Sequence, residues 1–359
     1  MANRYWVGGT ANWDGTAGTK WDSVSGGSGG QSVPTSADDV FFDGNSTGTC
    51  TISAGNTGAK SITCTGFTGG LTVSAAITLS GSLTLVSGMT YSATARITFI
   101  ATATITTAGK TMHAFTVNGA GITVGLGDAY TFSTANASIN ITQGTFNTNN
   151  FNITGTATAS NNIINMSGTT TRAVNLGSST LTFAVNLGDI WNASTTTNLT
   201  FNAGTSSLVF TGSGGTFQGG SLTYYNLTFS NNFSRTINGA NTFNTLTLSG
   251  TTSITGNNTV TTLANGASPA TFSFTAGTTT TLTNWNVNGT AGNLVTIQSA
   301  TAANHTLSKA SGTVDANYLS ISRSTATGGA VWNAGANSTD GGNNSGWIFG
   351  TNTNFLMMF

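Results

Sequence analysis

Acid–base chemistry in this chain would have to begin with its carboxylates, and they are few. All nine are aspartates, with no glutamate in 359 residues. Five lie at the start, Asp14, Asp22, Asp38, Asp39 and Asp43, and only Asp128, Asp189, Asp315 and Asp340 follow. Asp38, Asp39 and Asp43 are close enough in sequence to be weak candidates for a calcium ion, a hard cation that prefers clustered oxygens. The favoured reading gives Asp38 and Asp39 to a turn ahead of the strand Val40-Phe41-Phe42, where they accept backbone N–H bonds. Hydrolysis of a glycosidic bond needs two carboxyl groups about 5 to 9.5 Å apart. Asp128 and Asp189, 61 positions apart, become such a pair only if the fold returns them to one place. His113 and His305 have no partner motif and read as ordinary polar strand residues. Cys50 and Cys64 lack a nearby His or further Cys to complete a tetrahedral metal site. They read as apolar thiols embedded in strands, with a disulfide as the alternative. No catalytic residue is assigned and no cofactor is expected.

The elements that would position these groups are short strands. From residue 46 to 325 the chain alternates apolar residues with Thr, Ser or Asn over three to five positions, as in Leu71–Val73, Ile139–Ile141 and Leu208–Phe210, with Gly, Asn or Ser between. Such alternation suits half-buried strands, because successive side chains point to opposite faces. One phrase recurs: Ala59–Cys64, Met112–Val117, Tyr224–Phe229, Phe243–Leu248, Leu282–Val287 and Ala316–Ile321, with a weaker copy at Val260–Leu263. Its fourth positions at 227, 246, 263 and 285 are separated by 19, 17 and 22 residues. A period near twenty with several strands per repeat predicts one coil of a parallel β-helix, a solenoid whose inward Leu, Ile, Val and Phe stack on the coils above and below. Outward Thr and Asn should form ladders whose amides hydrogen-bond along the stack. Ile62, Phe115, Leu227, Leu246, Trp285 and Leu319 are expected to face inward. The alternative is an array of β-sandwiches, for which Asn118-Gly119, Asn238-Gly239, Asn265-Gly266 and Asn288-Gly289 would be the hairpin turns. The presence of only two prolines favours the helix, since nearly every strand N–H is needed by a neighbouring coil. On that geometry Asp128 and Asp189 stand about three coils, roughly 14 Å, apart, too far to share a bond.

Three regions follow: residues 1–45, a Trp- and Asp-rich capping module; 46–325, the β-helical body; and 326–359, a C-terminal cap with an apolar tail. Exposed strand edges at the ends of a solenoid invite further stacking unless covered. Trp6, Trp13 and Trp21 at one end, and Trp332 and Trp347 at the other, are the expected covers. A sugar-stacking platform is the second reading of the first three. The tail Phe355, Leu356, Met357, Met358 and Phe359 is too short to span a bilayer and is expected to dock in an assembly. Nine basic residues are scattered singly and balance the nine aspartates, so no nucleic-acid partner is expected. Low charge on a large surface suits a permanent assembly. No secretory signal and no membrane span are expected.

The opening, Tyr5-Trp6 to Trp13, then Trp21-Asp22, then Val33 to Phe42, resembles the entry motif that precedes β-helical segments in autotransporter-like bacterial surface proteins. It also resembles the openings of phage fibre, spike and decoration proteins. The resemblance covers about 40 residues and implies how a β-helix starts. With neither a signal peptide nor a membrane barrel visible, it implies a non-enzymatic structural protein on the virion surface. Expected partners are further copies of itself, a trimer being one form, other virion structural proteins and a host-surface glycan. The alternatives are a bacterial adhesin or self-assembling extracellular filament subunit at the cell surface, and a β-helical polysaccharide lyase or hydrolase. A lyase would need a Lys or Arg base beside clustered aspartates, which the body does not offer.

Overall fold

A computed structural model describes residues 2–13, 18–53, 58–133, 138–156, 163–184 and 188–350. The fold is all-β, a parallel β-helix, with no helix among the described residues. The chain divides into two units, residues 1–183 with 195–205, and 184–194 with 206–359. The division falls inside the expected body, and each expected end module lies within one unit.

In the first unit, strands one coil apart pair in parallel and in register. Val40 pairs with Ile62 and Ile62 with Leu83; Ile77 pairs with Ile97 and Ile97 with Phe115. Val124, Phe146, Val174 and Phe201 form one column, and Tyr130, Ile153 and Leu181 another. Gly155 sits between two aromatic layers, where a Cβ would lie 2.6 Å from the Phe132 ring and 2.9 Å from that of Phe183. Only glycine leaves those rings room.

The second unit carries the repeat that the sequence suggested. Leu208, Leu227, Leu246, Leu263 and Trp285 are successive register partners, as are Tyr224, Phe243, Val260 and Leu282. Four copies of the recurring phrase, those beginning at 224, 243, 260 and 282, are therefore one position of the coil, whereas Leu319 of the last copy pairs with Val295 in another column. Ile62, Phe115, Leu227, Leu246 and Leu319 are buried as expected. Trp285 is only half-buried, its indole N–H donating to the Val287 carbonyl at 2.8 Å.

One expectation changes. Several strands run well beyond three to five residues: Phe115–Leu126, Thr242–Ile254 and Thr259–Phe274. Each continues around a corner, so that Thr259–Phe274 pairs with Thr279–Asn286 along one part and with Val295–Ser299 along another. The register slips at the corner: Leu248 opposes Asn265 but Gly250 opposes Ala270, leaving 266–269 outside the ladder. Pro269, which has no N–H to donate, lies in that gap. The Asn-Gly pairs at 118 and 265 mark such corners within strands and form no hairpins. Among the described residues the antiparallel pairings are Tyr5 with Asp22, Trp6 with Trp21, and a bridge between Thr290 and Asn293. A sandwich array would require many more.

Leu246 is 1% exposed with leucines in register on both sides. Leu246→Asp should therefore cost about 4 kcal/mol or more, the penalty of a buried charge without a partner. Thermal unfolding of the purified variant checks this, and an unchanged melting temperature would mean that the column does not carry the stability.

Candidate functional site

Each aspartate whose chemistry was weighed is held by its own neighbours. Asp38 accepts from the backbone N–H of Ala2 and of Thr35, both at 3.0 Å, and from the Thr35 hydroxyl at 2.9 Å. Burial works to raise its carboxyl; the bonds from Thr35 and Ala2 and the charge of Arg4 outweigh it and hold the group below the usual range. Asp39 reaches the following coil, pairing with Lys60 at 2.9 Å and accepting from Ser61 at 2.5 Å. Burial again pushes upward, and the Ser61 and Lys60 contacts bring it below the usual range. Asp43 accepts from the Asn45 N–H at 3.0 Å, the Asx turn expected of its neighbours. The three have separate tasks, and among the described residues no group of three or more His, Cys, Asp or Glu side chains could hold a metal ion.

Asp128, in the first unit, accepts from Thr107 N–H at 2.8 Å and Ala108 N–H at 2.6 Å, bracing a turn in which Ala108 has φ +51°. Asp189, in the second, begins a polar ladder. Gln218 donates to it at 3.2 Å, Asn238 donates to Gln218 at 3.0 Å, and Thr255 donates to Asn238 at 3.2 Å. Asp315 accepts from Asn333, and Asp340 from Gly342 N–H and the Asn344 amide.

Sequence reasoning missed three buried polar residues. His305 is fully buried and stacked on Phe274 with ring centroids 4.6 Å apart, and neither ring nitrogen has a hydrogen-bond partner among the described residues. It lies in a strand as expected, but on the buried face. Arg172 and Arg235 are each 2% exposed. Arg172 donates to the carbonyls of Thr170 and Thr197, both at 2.9 Å, of Thr195 at 2.5 Å, and of Met166. Arg235 donates to the carbonyls of Gly214, Phe210 and Gly212, and its guanidinium lies 5.0 Å from the centre of the Phe229 ring. Burial lowers the Arg235 pKa to about 10, which still leaves it charged at neutral pH. The available signal was alternation: Arg172 and Val174, Arg235 and Ile237, and His305 and Leu307 share the inward face of their strands. Cys64 is a buried free thiol pushed up to about 12 by burial.

Six of the seven tryptophans gather in two clusters. Trp6, Trp13 and Trp21 are buried, with Trp21 edge-on to Trp6 at 5.0 Å and to Trp13 at 4.7 Å, above Phe42 and Phe67. Burial removes them as a sugar-stacking platform. Trp332 and Trp347 meet edge-on at 4.9 Å, and Trp285, which was not among the expected residues, joins them at 6.0 and 5.8 Å. Phe355, Leu356, Met357, Met358 and Phe359 lie outside the described residues.

What the surface does present is hydroxyls. Ser234, Thr251, Thr271, Thr296, Ser320 and Thr339 are register partners across six strands of the second unit. With strands about 4.8 Å apart, they make a regular, uncharged column. Such a face can exchange hydrogen bonds with a neutral polar partner, but it offers no group that titrates near neutrality. The chain matches no protein-family model, and no curated protein or solved structure matches it.

The buried His305 predicts acid sensitivity. Burial lowers its pKa from 6.5 to about 4, so the unfolded chain binds the proton first. Stability is complete above pH 6.5 and falls as pH drops towards 4, by on the order of 3 kcal/mol. Denaturant unfolding at pH 7 and pH 4.5 should show the loss, and it should be much smaller in His305→Leu.

Proposed function

We propose that this chain is a non-enzymatic structural protein of a bacteriophage particle, displayed at its surface as a fibre, spike or capsid decoration. The observation that carries the structural reading is the employment of the carboxylates. Asp128 braces a turn, Asp189 anchors a ladder, and Asp38 and Asp39 tie the first coils together. A general acid or nucleophile has to be available to a substrate, and these groups face protein donors instead. The neutral ladder surface supports a body that extends and displays. The phage assignment draws on the resemblance of Tyr5 to Phe42 to the openings of such proteins. In this reading the Trp6, Trp13, Trp21 cluster and the Trp332, Trp347 cluster act as caps, and the chain assembles with copies of itself and with other virion proteins. An adhesin or filament subunit on a bacterial surface would share the chemistry and differ in location.

Immunogold labelling of purified particles and of host cells separates those two. Label on particles is expected; label on uninfected cells alone would overturn the phage reading. The wild-type chain, incubated with soluble polysaccharides, should release neither reducing ends nor unsaturated sugars. Release that disappears when Asp128 and Asp189 are both changed to Asn would make it an enzyme.

Residues 355–359 are proposed as a docking segment, five apolar residues in which Met supplies adaptable packing and the two Phe rings act as anchors. Deleting them should reduce incorporation into particles or oligomers and leave the melting temperature of the isolated chain nearly unchanged. Unchanged assembly with a large fall in melting temperature would make the segment a cap.

A further inference from the structure

In the second unit a strand corner and the three loops that follow it are joined by asparagines. The Asn265 side-chain carbonyl accepts the N–H of Asn288 at 2.9 Å, that of Asn288 accepts the N–H of Asn317 at 2.7 Å, and that of Asn317 accepts the N–H of Asn337 at 3.2 Å. Each loop is thereby aligned on the one before. The ladder ends at Asn337, whose own side-chain amide is exposed and makes no hydrogen bond among the described residues.

The aligned loops border a shallow, open depression of about 550 Å³, a volume within the range of small-molecule sites, about 300 to 1,000 Å³. Its lining includes Ala291, Leu294 and Tyr318, which are apolar or aromatic, and Asn337, Ser338 and Thr339, which are polar, the Ser338 hydroxyl being bonded to Leu319 N–H and the Ala334 carbonyl. Tyr318 is half-buried and takes φ +55°, a left-handed conformation that aromatic residues rarely adopt. Two bonds hold it there: its N–H donates to the Asn317 side chain at 3.1 Å, and its carbonyl accepts from Val295 N–H at 3.1 Å. Gly289 packs against the same carbonyl, where a Cβ would lie 2.2 Å away. Backbone strain maintained by its surroundings is a recurring mark of ligand sites. The Tyr318 hydroxyl and the Thr339 hydroxyl have no partner among the described residues, so two hydroxyls, an amide and an aromatic ring without such partners belong to residues that line one space.

Among the described residues no charged side chain lines it. Asp340, next to Thr339, is occupied by Gly342 and Asn344. An ionic ligand would therefore lose its hydration without a counter-charge, whereas a neutral one does not meet that cost. A lining that combines apolar and polar groups suits a molecule that carries both. A pyranose ring does, with C–H groups on its faces and hydroxyls around its edge. Thr339 is also the last member of the hydroxyl column that begins at Ser234, so a linear chain of sugars seated at Tyr318 finds further hydroxyl partners along the surface.

We infer that this pocket binds a neutral saccharide, as a unit of a linear polysaccharide, with Tyr318 as the stacking face and Asn337 and Thr339 as hydrogen-bonding partners. The inference rests on the surface-display reading for its biological use, and on the pocket alone for its chemistry.

The test is calorimetric titration of the full chain with glucose, galactose, mannose and N-acetylglucosamine oligomers, and with oligogalacturonate as an acidic comparison. At least one neutral oligomer should bind saturably. Tyr318→Gly should weaken it by at least about tenfold, the loss of a stacked aromatic face, and Asn337→Ala should weaken it several-fold. Glycine suits φ +55°, so the first variant should melt no lower than wild type; Asn337→Ala, on an exposed rim, keeps the test open if it does not fold. Binding by none of the neutral oligomers, tighter binding of the acidic one, or equal binding by both variants and wild type would overturn the inference. A chain found on particles that binds no sugar leaves the structural reading standing. One that binds sugar through Tyr318 but labels cells leaves the pocket standing.

Discussion

The hydrogen bond between one coil's backbone and the next governs how these units are built. Thr242–Ile254 has Thr223–Phe229 and Ser234–Asn238 on one side and Thr259–Phe274 on the other, all parallel. Each such bond contributes only about 0.5 to 1.5 kcal/mol net, but leaving a buried N–H without one costs more. The register this imposes brings like residues into contact at every coil, so the core becomes a set of columns: leucine on leucine at 208, 227, 246 and 263, aromatic on aromatic at 224 and 243. Hydrophobic burial supplies the driving force, and the ladder decides which side chains share it.

The same register explains the low charge. A residue repeated up a stack meets its own kind about 4.8 Å away, and like charges at that distance repel. Hydroxyls and amides can serve as both donor and acceptor, and they stack without penalty, as in the ladder from Asp189 through Gln218 and Asn238 to Thr255. Arg172 and Arg235 stand in register within their ladders, beside Leu199 and Thr252, and their inward side chains donate to loop carbonyls, among them those of Thr195, Thr197 and Gly214. A buried guanidinium surrounded by carbonyls is tolerable because it presents five N–H groups in a fixed fork. The lowered pKa of Arg235 is the trace of that burial.

Much of this was legible before any coordinates. Alternation identified the strands, and the spacing of 227, 246, 263 and 285 identified residues that prove to be register partners. The tryptophan clusters were visible as compositional islands, although Trp285 was assigned to the core and belongs equally to the second cluster. The Asn-Gly pairs kept the sandwich open as an alternative; at 118 and 265 the dipeptide turns a corner within a strand, because the preceding coil already fixes the direction of the chain.

The residue sequence by itself determined the class of fold, the coil period and the inward face, since these depend on local alternation repeated at a fixed interval. Only the tertiary structure decided which inward positions would carry Arg172, Arg235 and His305, and that Asn265, Asn288, Asn317 and Asn337 would align three loops around Tyr318. Those outcomes depend on groups many residues apart meeting in space. A side chain's partners, and whether it has any, are set by the coil above and the coil below, and no local pattern records them.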